Sequence, residues 1–155
     1  MKKLTKQTLM VVAMALAMPG VASADNDADG GWKKCTLATL DGLYVFSATG
    51  YIIVPGAAPQ PKAIVEFIRF NGDGTLAVPG ATRSLNGVIA QIPAGGTGTY
   101  TVANPVGNDP ACIGSLTFTG GPSFDLFVAP KGDDVWMIQT NANNVFQGTV
   151  TKVSR

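Results

Sequence analysis

The sequence predicts an all-β fold in which eight or nine short strands form a sandwich or a barrel, and three observations predict it. From Leu37 onward, segments rich in Val, Ile, Thr, Phe and Tyr are separated by Gly, Pro, Asn and Asp. No segment repeats its apolar residues with a helical period. Several segments are also apolar on both parities, as buried strands are, with Ala63, Val65 and Phe67 set against Ile64, Ile68 and Phe70.

The strands follow in order. Gly42 to Ile53 places Leu43, Val45 and Tyr51 on one parity and Tyr44, Phe46, Ala48 and Ile52 on the other. A proline-rich break from Pro55 to Pro61 ends it. Ala63 to Phe70 is the strongest strand, and Asn71-Gly72-Asp73-Gly74 behind it is a hairpin turn signal. Weaker strands are expected at Thr75 to Val78 and at Leu85 to Ile92. Clearer ones run over Gly98 to Ala103, Gly114 to Phe118, Phe124 to Val128, Val135 to Thr140 and Val145 to Val153. Asp133-Asp134 and Asn141 to Asn144 supply the turns around the penultimate strand. Two-sided apolarity further implies that the outer face is covered, most economically in a homo-oligomer.

The first residues give an address. Lys2, Lys3 and Lys6 precede an apolar run from Leu9 to Met18, then Pro19-Gly20, then Ala22-Ser23-Ala24. That is the pattern of a cleavable export signal, residues 1–24, and its run of about ten residues is half what a membrane-spanning helix needs. Asp25 to Gly31 is acidic and free of large apolar residues, so 25–34 reads as a flexible leader and 35–155 as the folded domain. The expected location is the periplasm or the medium, with no membrane span once the signal is removed. An outer-membrane barrel fits poorly, since its strands need roughly 9–11 residues and most here are shorter.

After that removal eight basic residues face ten acidic ones, a net charge of −2. No basic stripe remains to hold a phosphate backbone, which argues against nucleic acid as a partner. The two cysteines, Cys35 and Cys112, are expected to form one structural disulfide in an oxidising compartment. They lack the close spacing of a redox-active pair.

Composition also narrows the chemistry. The chain has no histidine, which removes His-based nucleophile pairs and the commonest metal ligand, so no metal site and no cofactor are expected. Asn71-Gly72-Asp73-Gly74 lacks the further ligands of a calcium loop. Gly95-Gly96-Thr97-Gly98 carries no Lys and opens no helix, so it is no phosphate loop. What remains is a set of polar and aromatic groups inside apolar strands. Glu66, the only glutamate, shares a face with Ile64, Ile68 and Phe70. If that face points inward, loss of water would raise its pKa and make it a proton donor or ligand anchor, the candidate catalytic residue. If it points outward, Glu66 is simply a solvated surface charge. Tyr44, Phe46, Arg69, Tyr100, Asp125 and Trp136 are the candidate ligand contacts, with core packing for the aromatics and surface placement for Asp125 as the competing readings.

Cys35-Thr-Leu37-Ala-Thr-Leu40-Asp-Gly42-Leu-Tyr44-Val-Phe46-Ser-Ala-Thr-Gly50 resembles the start of small exported bacterial proteins with an allene oxide cyclase barrel-like domain. Phe70-Asn71-Gly72-Asp73-Gly74-Thr75-Leu76 is similar to their first hairpin. Gly98-Thr99-Tyr100-Thr101-Val102, Cys112-Ile-Gly114-Ser-Leu116-Thr-Phe118 and Gly148-Thr149-Val150-Thr151 follow the same order. The resemblance implies a single antiparallel barrel of about eight strands with a central cavity. It implies relatives that are often trimers and that steer cofactor-free cyclisation or coupling of hydrophobic small molecules. No catalytic position of the plant enzymes can be matched here.

Two functions follow as expectations. The first is a small hydrophobic ligand bound inside the barrel, with cyclase or isomerase chemistry as an extension. The second is a non-enzymatic exported structural or interaction protein whose barrel is filled by its own side chains, Phe46, Ile64, Phe67, Phe118, Phe127 and Trp136 among them.

Overall fold

The computed structural model describes residues 34–105 and 111–154. The expected export signal and all of the leader but Lys34 lie outside these residues. Nine antiparallel strands are present: β1 (Asp41–Ile52), β2 (Gln60–Asn71), β3 (Thr75–Leu85), β4 (Val88–Ile92), β5 (Gly96–Ala103), β6 (Cys112–Phe118), β7 (Ser123–Val128), β8 (Asp134–Gln139) and β9 (Asn144–Ser154). Eight of them close a ring in the order β1, β2, β3, β5, β6, β7, β8, β9, with β9 pairing back onto β1. β4 hangs outside the ring on the second half of β3. The barrel is therefore closed, and β4 is its one extra strand.

Two departures from the sequence reading have a common origin in β3. A strand was expected to stop at Val78 and another to run through Leu85 to Ile92. Instead β3 continues to Leu85, and Asn86 and Gly87, both at positive φ (48° and 83°), turn the chain into β4. Asn-Gly at that spacing is the favoured two-residue hairpin turn, because both central positions need φ above zero. The continuation past Val78 is made by a bulge. Phe67 pairs with Gly80 but Arg69 with Ala77, so β3 carries one extra residue there. Pro79 lies in the bulge, where no ladder N–H is required of it.

The closed end of the barrel is packed by Tyr44, Ile68, Phe70, Tyr100, Leu116 and Val135, all 3% exposed or less. Phe70 meets Tyr44 and Tyr100 edge to face, with ring centroids 5.1 and 5.0 Å apart. A 3₁₀ turn at Leu37–Thr39 caps this end, and the Cys35–Cys112 disulfide ties it to β6. The Tyr100 hydroxyl donates to the carbonyls of Leu37 and Leu40 at 2.9 and 2.8 Å. The Tyr44 hydroxyl donates to the Gly132 carbonyl at 2.7 Å, and burial pushes its pKa up to about 12. Gly132 sits at φ 72°, and a Cβ there would strike the Thr39 carbonyl. Tyr44→Phe leaves that Gly132 oxygen buried without a donor and is expected to cost about 1–3 kcal/mol in urea unfolding. A cost near zero would show that the bond contributes nothing.

The other half of the interior is filled by Phe46, Phe118, Phe124 and Phe146, in contact at centroid distances of 5.8 to 6.4 Å. Inward positions are thus apolar almost throughout, the reverse of the polar lumen of an outer-membrane barrel. Among the described residues no helix is long and apolar enough to cross a membrane. Phe67, Phe127 and Trp136, expected to help fill the barrel, face outward instead at 44%, 53% and 54% exposure. Their strands are apolar on both sides, so parity alone did not say which side was in.

Candidate functional site

Polar groups on the inward face gather toward one end, where β2 begins and β8 ends. Glu66 is there, 8% exposed, with Phe46 as its cross-strand neighbour on β1 and Ala81 on β3. Burial pushes its pKa up to about 7, with no neighbouring charge or hydrogen bond contributing. The inward placement that sequence reasoning treated as conditional is therefore the one found. Every fully buried side-chain polar atom among the described residues has a hydrogen-bond partner. The Glu66 carboxyl has none among the described residues, so it keeps an edge in contact with solvent.

Among the described residues no cation answers it. Arg69 lies on the opposite parity and is exposed. Lys62, four residues earlier on the same face, is committed elsewhere: its Nζ donates to Gln139 Oε1 at 3.0 Å and lies 3.9 Å from the centre of the Phe146 ring. Burial, and then the nearby Arg83 charge, lower the Lys62 pKa. Gln139 Nε2 donates in turn to Asn141 Oδ1 at 3.1 Å, which also accepts the Ser123 N–H at 2.7 Å. This chain of bonds closes the mouth over the phenylalanines.

Beside Glu66 the bulge in β3 leaves a cleft of about 690 Å³, within the range of small-molecule sites. Val45, Val65, Phe67, Pro79, Gly80, Ala81, Ile92 and Pro93 line it, with Glu66, Thr82 and Gln91 as the polar members. A second cleft of about 400 Å³ lies against Phe127, Trp136 and Ile138, with Thr49, Gln147 and Thr149 at its rim. Two more, of about 420 and 330 Å³, are lined mainly by polar and small residues. None of the four is lined by Tyr44, Phe46, Phe70, Tyr100 or Phe124.

The expected ligand contacts are therefore not brought together. Tyr44, Phe46 and Tyr100 face inward but are buried against other protein side chains rather than around a void. Arg69, Asp125 and Trp136 face outward, Asp125 opposite Ser115 and Ile138, and Trp136 opposite Phe127 and Thr149. A molecule on the barrel axis would touch none of these three. Sequence reasoning missed Lys62 and Gln139 at the mouth and Pro79-Gly80 in the cleft wall. Lys62 shares the Glu66 parity, and a Pro-Gly pair inside an apolar run is a bulge signal, so both were available. Among the described residues no three His, Cys, Asp or Glu side chains converge as a metal site.

No protein-family model matches the chain, and no curated protein or solved structure matches it either. The likeness to allene oxide cyclase barrel-like domains therefore rests on the sequence motifs, and the closed eight-stranded barrel is what the fold itself contributes.

Proposed function

We propose that the protein is an exported binding module that takes a small, largely apolar molecule into the cleft beside Glu66 rather than onto the barrel axis. The observation that carries this reading is a buried carboxyl with no partner among the described residues, on a residue that lines the largest of these four clefts, whose walls are mostly apolar. Such a pairing of apolar walls with one unsatisfied polar group is what orients a bound small molecule. In this reading Glu66, which borders the cleft, anchors the ligand's polar end. A carboxyl that titrates near neutrality both donates and accepts protons there, which is what cofactor-free cyclisation or isomerisation would ask of it. The Cys35–Cys112 disulfide supports the export half of the proposal, since such bonds persist in oxidising compartments.

The test uses Nile red, a neutral apolar fluorophore, titrated into the native protein, Glu66→Gln and Gly80→Leu. Gly80 has a negative φ, and a Cβ there would meet only the Ile92 carbonyl oxygen, at an ordinary contact distance of 3.8 Å, so leucine extends into the cleft without straining the backbone. Cleft binding predicts at least a tenfold loss of affinity in Gly80→Leu. Equal affinity in all three proteins would contradict it.

A second reading, a non-enzymatic interaction protein, is favoured by the packed interior together with exposed Phe127, Trp136 and Ile138. Adjacent half-exposed residues of this size form the kind of apolar patch that marks a contact surface. It predicts that Trp136→Asp abolishes association seen with the native chain by sedimentation, while Gly80→Leu leaves it intact.

A further inference from the structure

Each strand of the ring has a neighbour on both sides, whereas β4 pairs with β3 on one side and with no described residue on the other. The two-residue Asn86-Gly87 turn fixes which groups are free. In such a hairpin the residues flanking the turn, Leu85 and Val88, are hydrogen-bonded to each other, and the pattern alternates from there. Val88, Ala90 and Ile92 therefore spend their backbone groups on β3. The N–H and C=O of Ile89 and Gln91 point away from the barrel.

Natural edge strands are usually blunted by charge or proline. β4 has neither within it, and no residue from Ser84 to Asn108 is charged. The nearest charge is Arg83 on β3, opposite Ala90. Side chains on both faces of the strand are exposed and apolar: Val88 at 71%, Ile89 at 65% and Ile92 at 38%.

We infer that β4 is a self-pairing edge whose occupant is β4 of a second copy of this chain, antiparallel, with the two-fold axis at Ala90. The spacing of the free groups selects that partner. Ile89 and Gln91 lie symmetrically about Ala90, so an antiparallel copy places Ile89 opposite the partner's Gln91 and Gln91 opposite the partner's Ile89. All four outward groups on each strand are then satisfied, by four hydrogen bonds. The pair at the axis is the close, non-hydrogen-bonded kind, with Cα atoms about 4.5 Å apart, and Ala90 supplies the small side chain that this approach favours. An uncharged segment meets its own copy without repulsion. The sheet would then run continuously through both barrels, from β2 and β3 through two copies of β4.

The contact is small. A five-residue strand is about 17 Å long, and its flanks fall short of the roughly 800 Å² per partner of a standard interface. The dimer is accordingly weak and reversible, in the class of low-area transient contacts.

Sedimentation velocity of the full mature chain between about 1 μM and 1 mM tests this, alongside Ile89→Lys and Gln91→Pro. Lysine puts a charge on the edge, and proline removes an outward N–H that β3 does not use. The expected result is a monomer–dimer equilibrium in the native chain and at least a tenfold weaker one in both variants. Ala90→Cys is the register test. It should cross-link to itself in a glutathione redox buffer, since the axial Cα separation is within disulfide reach, while Val88→Cys should not. A native chain that stays monomeric to 1 mM overturns the inference, even if the edge captures an extended peptide from another protein. So does association that survives both edge variants, or cross-linking of Val88→Cys in preference to Ala90→Cys. Gln91 also lines the Glu66 cleft but Ile89 does not, so Nile red binding that persists in Ile89→Lys while the dimer weakens separates this inference from the cleft reading.

Discussion

Replacing Cys35 and Cys112 together by alanine is expected to destabilise the barrel by roughly 4–5 kcal/mol, the entropy of opening a loop of that length in the unfolded chain. The bond joins residues 77 apart in sequence, so half of the barrel's strands (β1, β2, β3 and β5), together with β4, lie inside the loop it closes. In a domain of this size that corresponds to a fall in Tm of about 15 °C. Three further contacts hold the same end. The Cys35 N–H donates to Asn104 Oδ1, and Tyr100 and Tyr44 hydrogen-bond to backbone carbonyls of the cap and of the β7–β8 turn. The variant should accordingly keep a folded barrel at 25 °C. Its urea m-value should rise, because an unfolded chain without the cross-link exposes more surface. A loss below about 1 kcal/mol would show that the bond is not a structural staple.

The second large effect belongs to Glu66. Its carboxyl is protonated more readily in the folded chain than in the unfolded one, where a glutamate titrates near 4.5. The folded state is thus favoured at low pH: the contribution is intact below about pH 4.5 and is lost as pH rises through 7. Carrying the pKa from 4.5 to about 7 corresponds to about 3 kcal/mol. Glu66→Gln keeps the shape and removes the charge. It should match the native protein near pH 4 and exceed it by about 3 kcal/mol at pH 8, measured by urea unfolding at each pH. Asp73 works in the opposite direction, its pKa lowered by the Thr75 side chain and backbone N–H, and its contribution fades only in stronger acid. A variant no more stable than the native chain at pH 8 would mean that Glu66 is solvated and paired in the folded state.

Most of the strands were legible in the sequence, because their turns are chemically loud. Asn71-Gly72-Asp73-Gly74 turns β2 into β3, with Gly72 and Gly74 at φ 75° and 95° and Asp73 bonded to Thr75. β5 to β9 fall where the Gly-Thr and aromatic runs placed them. Closure into a ring and the position of β4 were harder, because they depend on a bulge of one residue and on which neighbour a strand chooses. Pro79-Gly80 was passed over, and Asn86-Gly87 was absorbed into a strand although it is a strong hairpin signal.

The candidate site was legible only in its centre. Glu66 stood out as the single glutamate inside an apolar run, yet its burial was the less favoured option, since carboxylates are seldom buried unpaired. Asp125 has the same local pattern, flanked by Phe124 and Leu126, and faces out. The difference is one of parity. Glu66 shares a side with Ile68 and Phe70, both buried, whereas Asp125 shares its side with Phe127, which is itself exposed. No local rule separates two apolar faces of one strand; the partner strands decide. Lys62 shares β2 with Glu66, but Gln139 and most of the cleft walls come from β8, β1, β3 and β4 and became visible only once these were registered.

Because Glu66 is the only glutamate, its carboxyl gives a single resonance in a chain labelled with ¹³C glutamate. A pH titration of that signal between 3 and 9 measures the buried, unpartnered carboxyl directly. The structure predicts a midpoint near 7 that moves when Gly80→Leu fills the neighbouring cleft. A midpoint near 4.5 in the native protein, unchanged by that substitution, would place Glu66 in water and remove the basis of the proposed site.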